Sequence, residues 1–400
     1  MARILAINPG STSTKIAVFD GDEMLLGQTL RHAAEDLARY EHIAEQFEFR
    51  REIILSALAE AGIDPASLDG VVGRGGLIRP VCGGTYVVTE DMLADLHSGF
   101  AGEHASNLGG ILAHHIAQPQ SLPSYIVDPV VVDELEPVAR FSGIPELPRV
   151  SIFHALNQKA TARRAAAEIG KTYEEVRFIV AHLGGGITVG AHDRGRVIDV
   201  NDGLNGEGPF SPERSGGVAA LKIVELLTRR GYTEAQVKKM IKGEGGLVAY
   251  CGSNNAEELS GCIDEGDDDV RLVMEAMAYQ VAKEIGAMAT VLRGTLEAII
   301  LTGGLAHDER VVKGITERVS FLAPVKVYPG EDEMRALAEG ADRVLRGEEQ
   351  ALTYADGKAL AGGGRDRSGT TARAGVRTPR GAGDTRDAPS GEAAQSGDRV

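Results

Sequence analysis

Two arginines in this chain stand where a side-chain charge meets a yielding backbone. Arg74 lies in Gly73-Arg74-Gly75-Gly76, and Arg214 in Pro212-Glu213-Arg214-Ser215-Gly216-Gly217. Glycines let the backbone press against a ligand, and the guanidinium fork matches carboxylate or phosphate oxygens two at a time. A surface turn is the competing reading for either arginine alone. Asp128 follows Tyr125-Ile126-Val127 and precedes Pro129, and His154 closes the run Ser151-Ile152-Phe153 in the same way. A carboxylate and an imidazole at the ends of apolar runs suit a catalytic or magnesium-linked pair; a helix cap for Asp128 and a core histidine are the structural alternatives. Lys15 ends a loop, Asn8-Pro9-Gly10-Ser11-Thr12-Ser13-Thr14-Lys15. Its small residues, backbone N–H groups, hydroxyls and ammonium are the groups that cradle a polyphosphate. The loop is not a Walker A motif, and no Gly-x-Gly-x-x-Gly occurs. His104 and Asn107 precede Leu108-Gly109-Gly110 and read as pocket packing, while His114 and His115 read as helix surface. No His, Cys or carboxylate group has metal-site spacing, so the expected metal is Mg²⁺ held mainly by nucleotide phosphates.

The elements that must position these groups follow from the apolar pattern. Ile4–Ile7 and Ile16–Phe19 flank the hydroxyl-rich loop and predict a β-hairpin. Phe178–Leu183, Gly184-Gly185-Gly186 and Ile187–Gly190 repeat that plan, with His182 at the entry to the triple-glycine turn, placed to donate to a phosphate. Two such hairpins predict two similar domains, each opening on a phosphate-facing turn. Val273, Met277, Val281 and Ile285 carry a helical period, followed by the strand-like Ala298–Leu301 and then Thr302-Gly303-Gly304. Helix, buried strand and glycine turn are the pieces of a parallel α/β sheet, whose ligands sit beyond the carboxyl ends of strands.

Four hundred residues exceed what one core usually holds, which again favours two domains. The net charge of −16 argues against a nucleic-acid binder but leaves room for a nucleotide pocket with a few local cations. No apolar run approaches the roughly 20 residues that cross a bilayer, and the start lacks a signal-peptide pattern. Three cysteines without metal spacing suit reduced thiols, so the expected location is the cytoplasm. From about residue 357 the composition turns to Gly, Ser, Ala, Pro and Arg, too poor in apolar residues to offset ordering entropy, and 357–400 is expected to be a disordered tail.

Taken in order, these segments resemble the acetokinase family of the acetate and sugar kinase/Hsp70/actin superfamily. The matching segments are Asn8–Lys15, Gly73–Leu77, Ile126–Pro129, Phe153-His154, Ala181–Val189, Pro209–Gly217 and Leu301–Gly304. The resemblance implies a duplicated two-domain ribonuclease H-like fold, of the actin-like ATPase kind, with a nucleotide cleft between domains. Its domains would be 1–148 completed by 331–356, and 149–330. It implies transfer of the γ-phosphoryl group of ATP to a short-chain carboxylic acid, with ADP and an acyl phosphate as products. Butyrate is the expected acceptor; acetate, propionate or a branched-chain acid are alternatives, and a non-catalytic ATP-binding module is the reading from another class. Carried over, Asn8, Ser11, Ser13, Lys15, His182, Gly184, Gly185, Gly186, Thr302, Gly303 and Gly304 would hold the nucleotide. Arg214, His154, Asp128 and Arg74 would be catalytic. Asn8 and one acid of Glu331-Asp332-Glu333, with Glu333 favoured, would attend Mg²⁺. Acetate kinases carry His-Arg-x-x-His-Gly-Gly where this chain has Gly-Arg-Gly-Gly, so Arg74 is displaced toward its glycines. A homo-oligomer without nucleic-acid or membrane partners is expected. A carboxylic acid is already ionised at neutral pH, so the acceptor needs no general base, only charge neutralisation and in-line positioning.

Overall fold

The alternating apolar residues of the first hairpin form strands β1 (Arg3–Pro9) and β2 (Ser13–Asp20), paired antiparallel with Asn8 opposite Lys15. The computed structural model describes residues 2–361. β3 (Glu23–Arg31) extends the meander, and β4 (Gly70–Arg74), β5 (Thr85–Val87) and β6 (Ser124–Val127) complete a sheet of order β3-β2-β1-β4-β6-β5. In it β1, β4 and β6 run parallel. The second predicted hairpin is β7 (Arg177–Leu183) and β8 (Ile187–Asp193), extended by β9 (Arg196–Val200). With β10 (Ala298–Gly303) and β11 (Val325–Pro329) it forms a sheet of order β11-β10-β7-β8-β9, in which β7, β10 and β11 run parallel. Each sheet is therefore an antiparallel three-strand meander whose first strand continues into parallel strands. The repeat seen in two turns is a repeat of topology.

Helices cover both faces of each sheet, as parallel strands require. Helices Phe47–Glu60 and Asn107–Ala117 cover one face of the first sheet, with Ile54, Leu58, Ile111 and Leu112 packed on Leu5, Ile7 and Val71. The second sheet has helices Asp268–Val291 and Glu309–Val319 on one face. The predicted period appears there as buried Met277, Val281 and Ile285, and Asp267 caps the helix by accepting from the amides of Asp269 and Val270. Two further helices cover the remaining faces. Ala155–Glu168 packs Ala162, Ala165 and Ala166 on Phe178, Val180 and Ile300 of the second sheet. Glu333–Leu345 packs Ala336, Leu337 and Ala341 on Ile4, Ala6 and Phe19 of the first, and Leu156 joins that same cluster.

The predicted start of the tail at 357 is early. Helix Tyr354–Leu360 crosses it, opened by Thr353, which accepts from the Asp356 amide. Tyr354 is fully buried, its hydroxyl donating to Asp95 at 2.7 Å, and a Cβ on Gly357 would run into the Tyr86 ring. One buried aromatic and one close glycine anchor a stretch whose composition reads as tail. Residues 362–400 lie outside the described part of the chain.

Candidate active site

The loop between β1 and β2 owes its shape to a residue that its own sequence does not announce. Arg50, on helix Phe47–Glu60, is 1% exposed. Its guanidinium donates to Gly10 O at 2.8 Å, Ser11 O at 3.2 Å, Ser13 O at 3.2 Å and Thr14 Oγ1 at 3.1 Å, and to Gln46 Oε1. Thr12 O accepts from the amide of His32. Every carbonyl from Gly10 to Ser13 is thus turned inward and paired. The amides of Ser11 and Thr12 donate to no acceptor among the described residues, so the exposed tip presents donors. Burial lowers the Arg50 pKa to about 10, which leaves the group charged at neutral pH. Lys15 is exposed on β2; the Glu331 carboxyl is held below its ordinary value by His182 beside it, with smaller help from Arg74 and Lys15.

At the end of β1 the side chains of Asn8, Arg74 and Glu333 converge. Asn8 Nδ2 donates to Glu333 Oε2 at 2.6 Å and Arg74 Nη1 donates to the same oxygen at 2.8 Å. Arg74 ends β4, where Gly73 permits helix Asn107–Ala117 to approach: a Cβ there would overlap the backbone of Gly109. The neighbouring acids behave differently. Asp332 pairs with Arg335 at 3.3 Å, and Glu331 Oε1 lies 3.1 Å from His182 Nε2, an ion-pair distance without the alignment of a hydrogen bond.

The triple-glycine turn of the second hairpin separates two cavities. Gly184 lines the larger, about 1050 Å³, together with Pro212, Asn254, Ser260, Gly304, Leu305 and Lys313. Gly185 O accepts from the Ser211 hydroxyl at 2.6 Å and the Glu213 amide at 3.2 Å, tying the Arg214 loop to the turn. Gly186 lies flat against the Arg214 guanidinium, where a Cβ would overlap Nη1 and Cζ. Arg214 Nη1 also donates to Gly203 O.

Arg214 lines the smaller cavity, about 280 Å³, with Arg74, His104, Asp128, His154, Lys242 and Glu333. Leu77, Val130, Ile152, Phe153, Leu156 and Leu204 give it an apolar floor. His154 stands at the N-cap position of helix Ala155–Glu168, without a side-chain capping bond, and stacks on His182, ring centroids 3.8 Å apart and planes 12° from parallel. Burial pushes the His154 pKa well below its ordinary value, reinforced by His182, Arg214 and Arg74, so its ring is neutral.

Asp128 lines this cavity, but both its oxygens are committed. Oδ1 accepts from the Gly84 amide at 2.8 Å and Oδ2 from Arg163 at 2.9 Å. Burial alone would raise its pKa; Arg163 and Lys159 override that and hold the carboxyl below its ordinary value. Its contacts describe a partner of Arg163. Thr302 also departs from the expected grouping. Its hydroxyl donates to Gly330 O at 3.2 Å and it lines a separate cavity of about 260 Å³, while Gly304 reaches the large one. Gly303 has φ +91° and a neighbour, Leu183, whose backbone a Cβ would strike. It fixes the end of β10 beside the turn.

Besides Arg50, the sequence reading missed Asn157, Gln158 and Thr188. Asn157 Oδ1 lies 2.8 Å from His182 Nδ1, and Gln158 Nε2 donates to Thr188 O and Oγ1 at 3.0 and 2.9 Å. The available signal was the polar run Asn157-Gln158-Lys159, separated from His154 by two residues; the structure buries all three.

Known proteins are similar to this chain in both sequence and fold. The family model described as the Acetokinase family matches residues 149–348. The protein named butyrate kinase 2 of Clostridium acetobutylicum is 55% identical over 352 residues, covering 88% of this chain and 99% of its own. Among solved structures, Porphyromonas gingivalis acetate kinase has a TM-score of 0.72 at 20% identity, covering 86% of this chain and 99% of that one. A propionate kinase from Francisella tularensis has a TM-score of 0.68 at 19% identity, covering 85% and 99%. At such identities the two structures speak for the fold, a duplicated α/β fold of the actin-like ATPase kind.

Proposed function

Since this chain belongs to the acetokinase family, we propose that it transfers the γ-phosphoryl group of ATP reversibly to the carboxylate of butyrate, giving butyryl phosphate and ADP. One observation carries the reading. The triple-glycine turn stands between a large polar-rimmed cavity and a small one with an apolar floor, two arginines and a neutral histidine. The large cavity would take the nucleoside, and the turn and the β1–β2 loop its phosphates. The small one would take a short alkyl chain with its carboxylate toward Arg214 and Arg74. Arg214 would then sit where charge develops on the transferring group, and His154 would donate a hydrogen bond without adding charge. No residue need act as base, which agrees with both oxygens of Asp128 being engaged.

Mg²⁺ suits this site. Glu333 offers one carboxylate whose Oε1 accepts no hydrogen bond among the described residues, and Mg²⁺ ordinarily takes one or two protein oxygens while phosphates and water supply the rest. Bound there beside Asn8, it would neutralise phosphate charge. Residues 1–148 with 331–356, and 149–330, are proposed as the two domains, closing to exclude water from the acyl phosphate. The enzyme is proposed to serve fatty-acid metabolism in the cytoplasm. Among the described residues no helix is long and apolar enough to cross a membrane. A homo-oligomer is supported by the exposed Leu221, Val224 and Leu227 along helix Ala220–Arg229.

The test is acid-dependent ADP formation with acetate, propionate, butyrate and isobutyrate, with hydroxylamine trapping the acyl phosphate. Butyrate is expected to give the highest kcat/KM. One methylene is worth about 1–3 kcal/mol in such a pocket, so the margin over acetate should exceed tenfold. A preference for another acid of the series would reassign the substrate. ATP binding without any acyl hydroxamate would point to the non-catalytic module instead.

A further inference from the structure

His192 and Tyr173 are buried and polar, line neither cavity, and have no task in the proposed reaction. They begin a continuous line of hydrogen bonds that ends on His154. Tyr173 Oη lies 2.7 Å from His192 Nδ1, and His192 Nε2 lies 3.0 Å from Gln158 Oε1. Gln158 Nε2 donates to Thr188 O at 3.0 Å and to Thr188 Oγ1 at 2.9 Å, and Thr188 Oγ1 lies 2.9 Å from His154 Nδ1.

The direction of each bond follows from what the atoms can do. Thr188 O is a carbonyl and can only accept, so the Gln158 amide nitrogen must face it and Gln158 Oε1 must face His192. His192 therefore carries its proton on Nε2 and accepts from the Tyr173 hydroxyl at Nδ1. Thr188 Oγ1 already accepts from Gln158, and among the described residues its own proton has one partner, His154 Nδ1. The reverse arrangement, with His154 donating from Nδ1, would strand the hydroxyl proton of a residue that is 0% exposed. Burial keeps both His154 and His192 neutral, so each has a single ring proton to place.

We propose that Tyr173, His192, Gln158 and Thr188 act as positioning residues that fix His154 as the Nε2–H tautomer, so that the cavity beside Arg214 always receives a donor from it. Without this line the two tautomers of a neutral imidazole compete, and the wrong one would turn a lone pair toward an anion. The value of that donor to catalysis rests on the phosphoryl-transfer reading above; the tautomer itself does not.

The experiment is two-bond ¹H–¹⁵N correlation on full-length protein labelled at histidine, with His154→Asn for assignment. His154 should show a protonated Nε2 and a bare Nδ1 between pH 6 and 8. Thr188→Val, nearly isosteric, removes the hydroxyl and should give mixed or reversed tautomers. Its kcat should fall about 10²-fold, the usual loss for one donor to a developing charge, with the KM for ATP within about twofold. Thr188→Ser should restore both spectrum and rate. A wild-type His154 protonated on Nδ1, or an unchanged tautomer in folded Thr188→Val, would overturn the proposal. If the spectra come out as expected while no acid is phosphorylated, the functional reading fails and the tautomer assignment stands.

Discussion

Gly186 gives the sharpest access to the role of Arg214. Its backbone lies outside the positive-φ region, so alanine there carries no conformational penalty. The three atoms nearest the added methyl would all belong to the Arg214 guanidinium: it would overlap Nη1 and Cζ and come within 2.9 Å of Nε. Restoring ordinary contact near 3.5–4 Å requires the guanidinium to move by roughly 1–2 Å. The turn cannot yield easily, because Gly185 O is held by Ser211 and Glu213. A displacement of about 1 Å of a group that stabilises transferring charge lowers kcat by about 10²-fold, and removing the group lowers it by about 10³-fold, as for arginine fingers. We therefore expect Gly186→Ala to lower kcat about 10²-fold and Arg214→Ala about 10³-fold. Nucleotide affinity, read by calorimetry with ADP, should change little in Arg214→Ala. In the double variant the alanine methyl has no guanidinium to displace, so kcat should match that of Arg214→Ala within about threefold. The assay is a coupled ADP-release measurement at saturating ATP and acid, on variants checked for unchanged thermal midpoints. If the two losses multiply to about 10⁵-fold, Gly186 acts independently of Arg214 and the reasoning fails.

Asp128→Asn keeps the shape of the side chain but leaves Arg163 without its counter-charge. The urea midpoint should shift by the equivalent of about 3 kcal/mol, and an unchanged midpoint with abolished turnover would instead make Asp128 catalytic. Arg50→Met frees the carbonyls of Gly10 and Ser11 to turn outward toward phosphate oxygens, while the Gly10 amide still holds Ser13 O at 2.7 Å. The KM for ATP should rise about tenfold, equivalent to ~1.4 kcal/mol, with the KM for the acid nearly unchanged; equal increases in both would contradict the inward-carbonyl account. Acid should destabilise the protein through His32, whose pKa burial, helped by Arg50, lowers to about 4. The unfolded chain takes up this proton near pH 6.5, so the contribution is complete above that pH and lost as pH falls toward 4. Between pH 7.5 and 5, urea titrations should show a loss of about 1 kcal/mol that His32→Asn diminishes, after discounting for solvent screening. A stability that rises on acidification would refute the sign.

Local patterning carried much of this molecule in plain view. Both hairpins, the long helix around Met277 and the strand before Thr302 are set by side-chain period and by turn residues, which act over a few positions and so survive in a linear reading. The site was legible to the extent that glycine-flanked arginines and strand-end residues announce anion chemistry: Arg74, Arg214 and His154 do line one cavity. Thr302 and Gly304, two positions apart at the end of β10, line different cavities, and no sequence spacing says which is which.

Local sequence alone sets the two-fold plan: two hairpins, each built around a turn of small residues, with cationic side chains at strand ends. The tertiary structure decided how those residues are employed. Asn8 meets Glu333 across a separation of 325 residues, Arg50 meets Gly10 across 40, and Gln158 meets Thr188 across 30. Such pairings arise when helices settle on opposite faces of two sheets. A buried polar group must take whatever partner that packing delivers, and the proton positions that matter for chemistry are fixed only once those partners are counted.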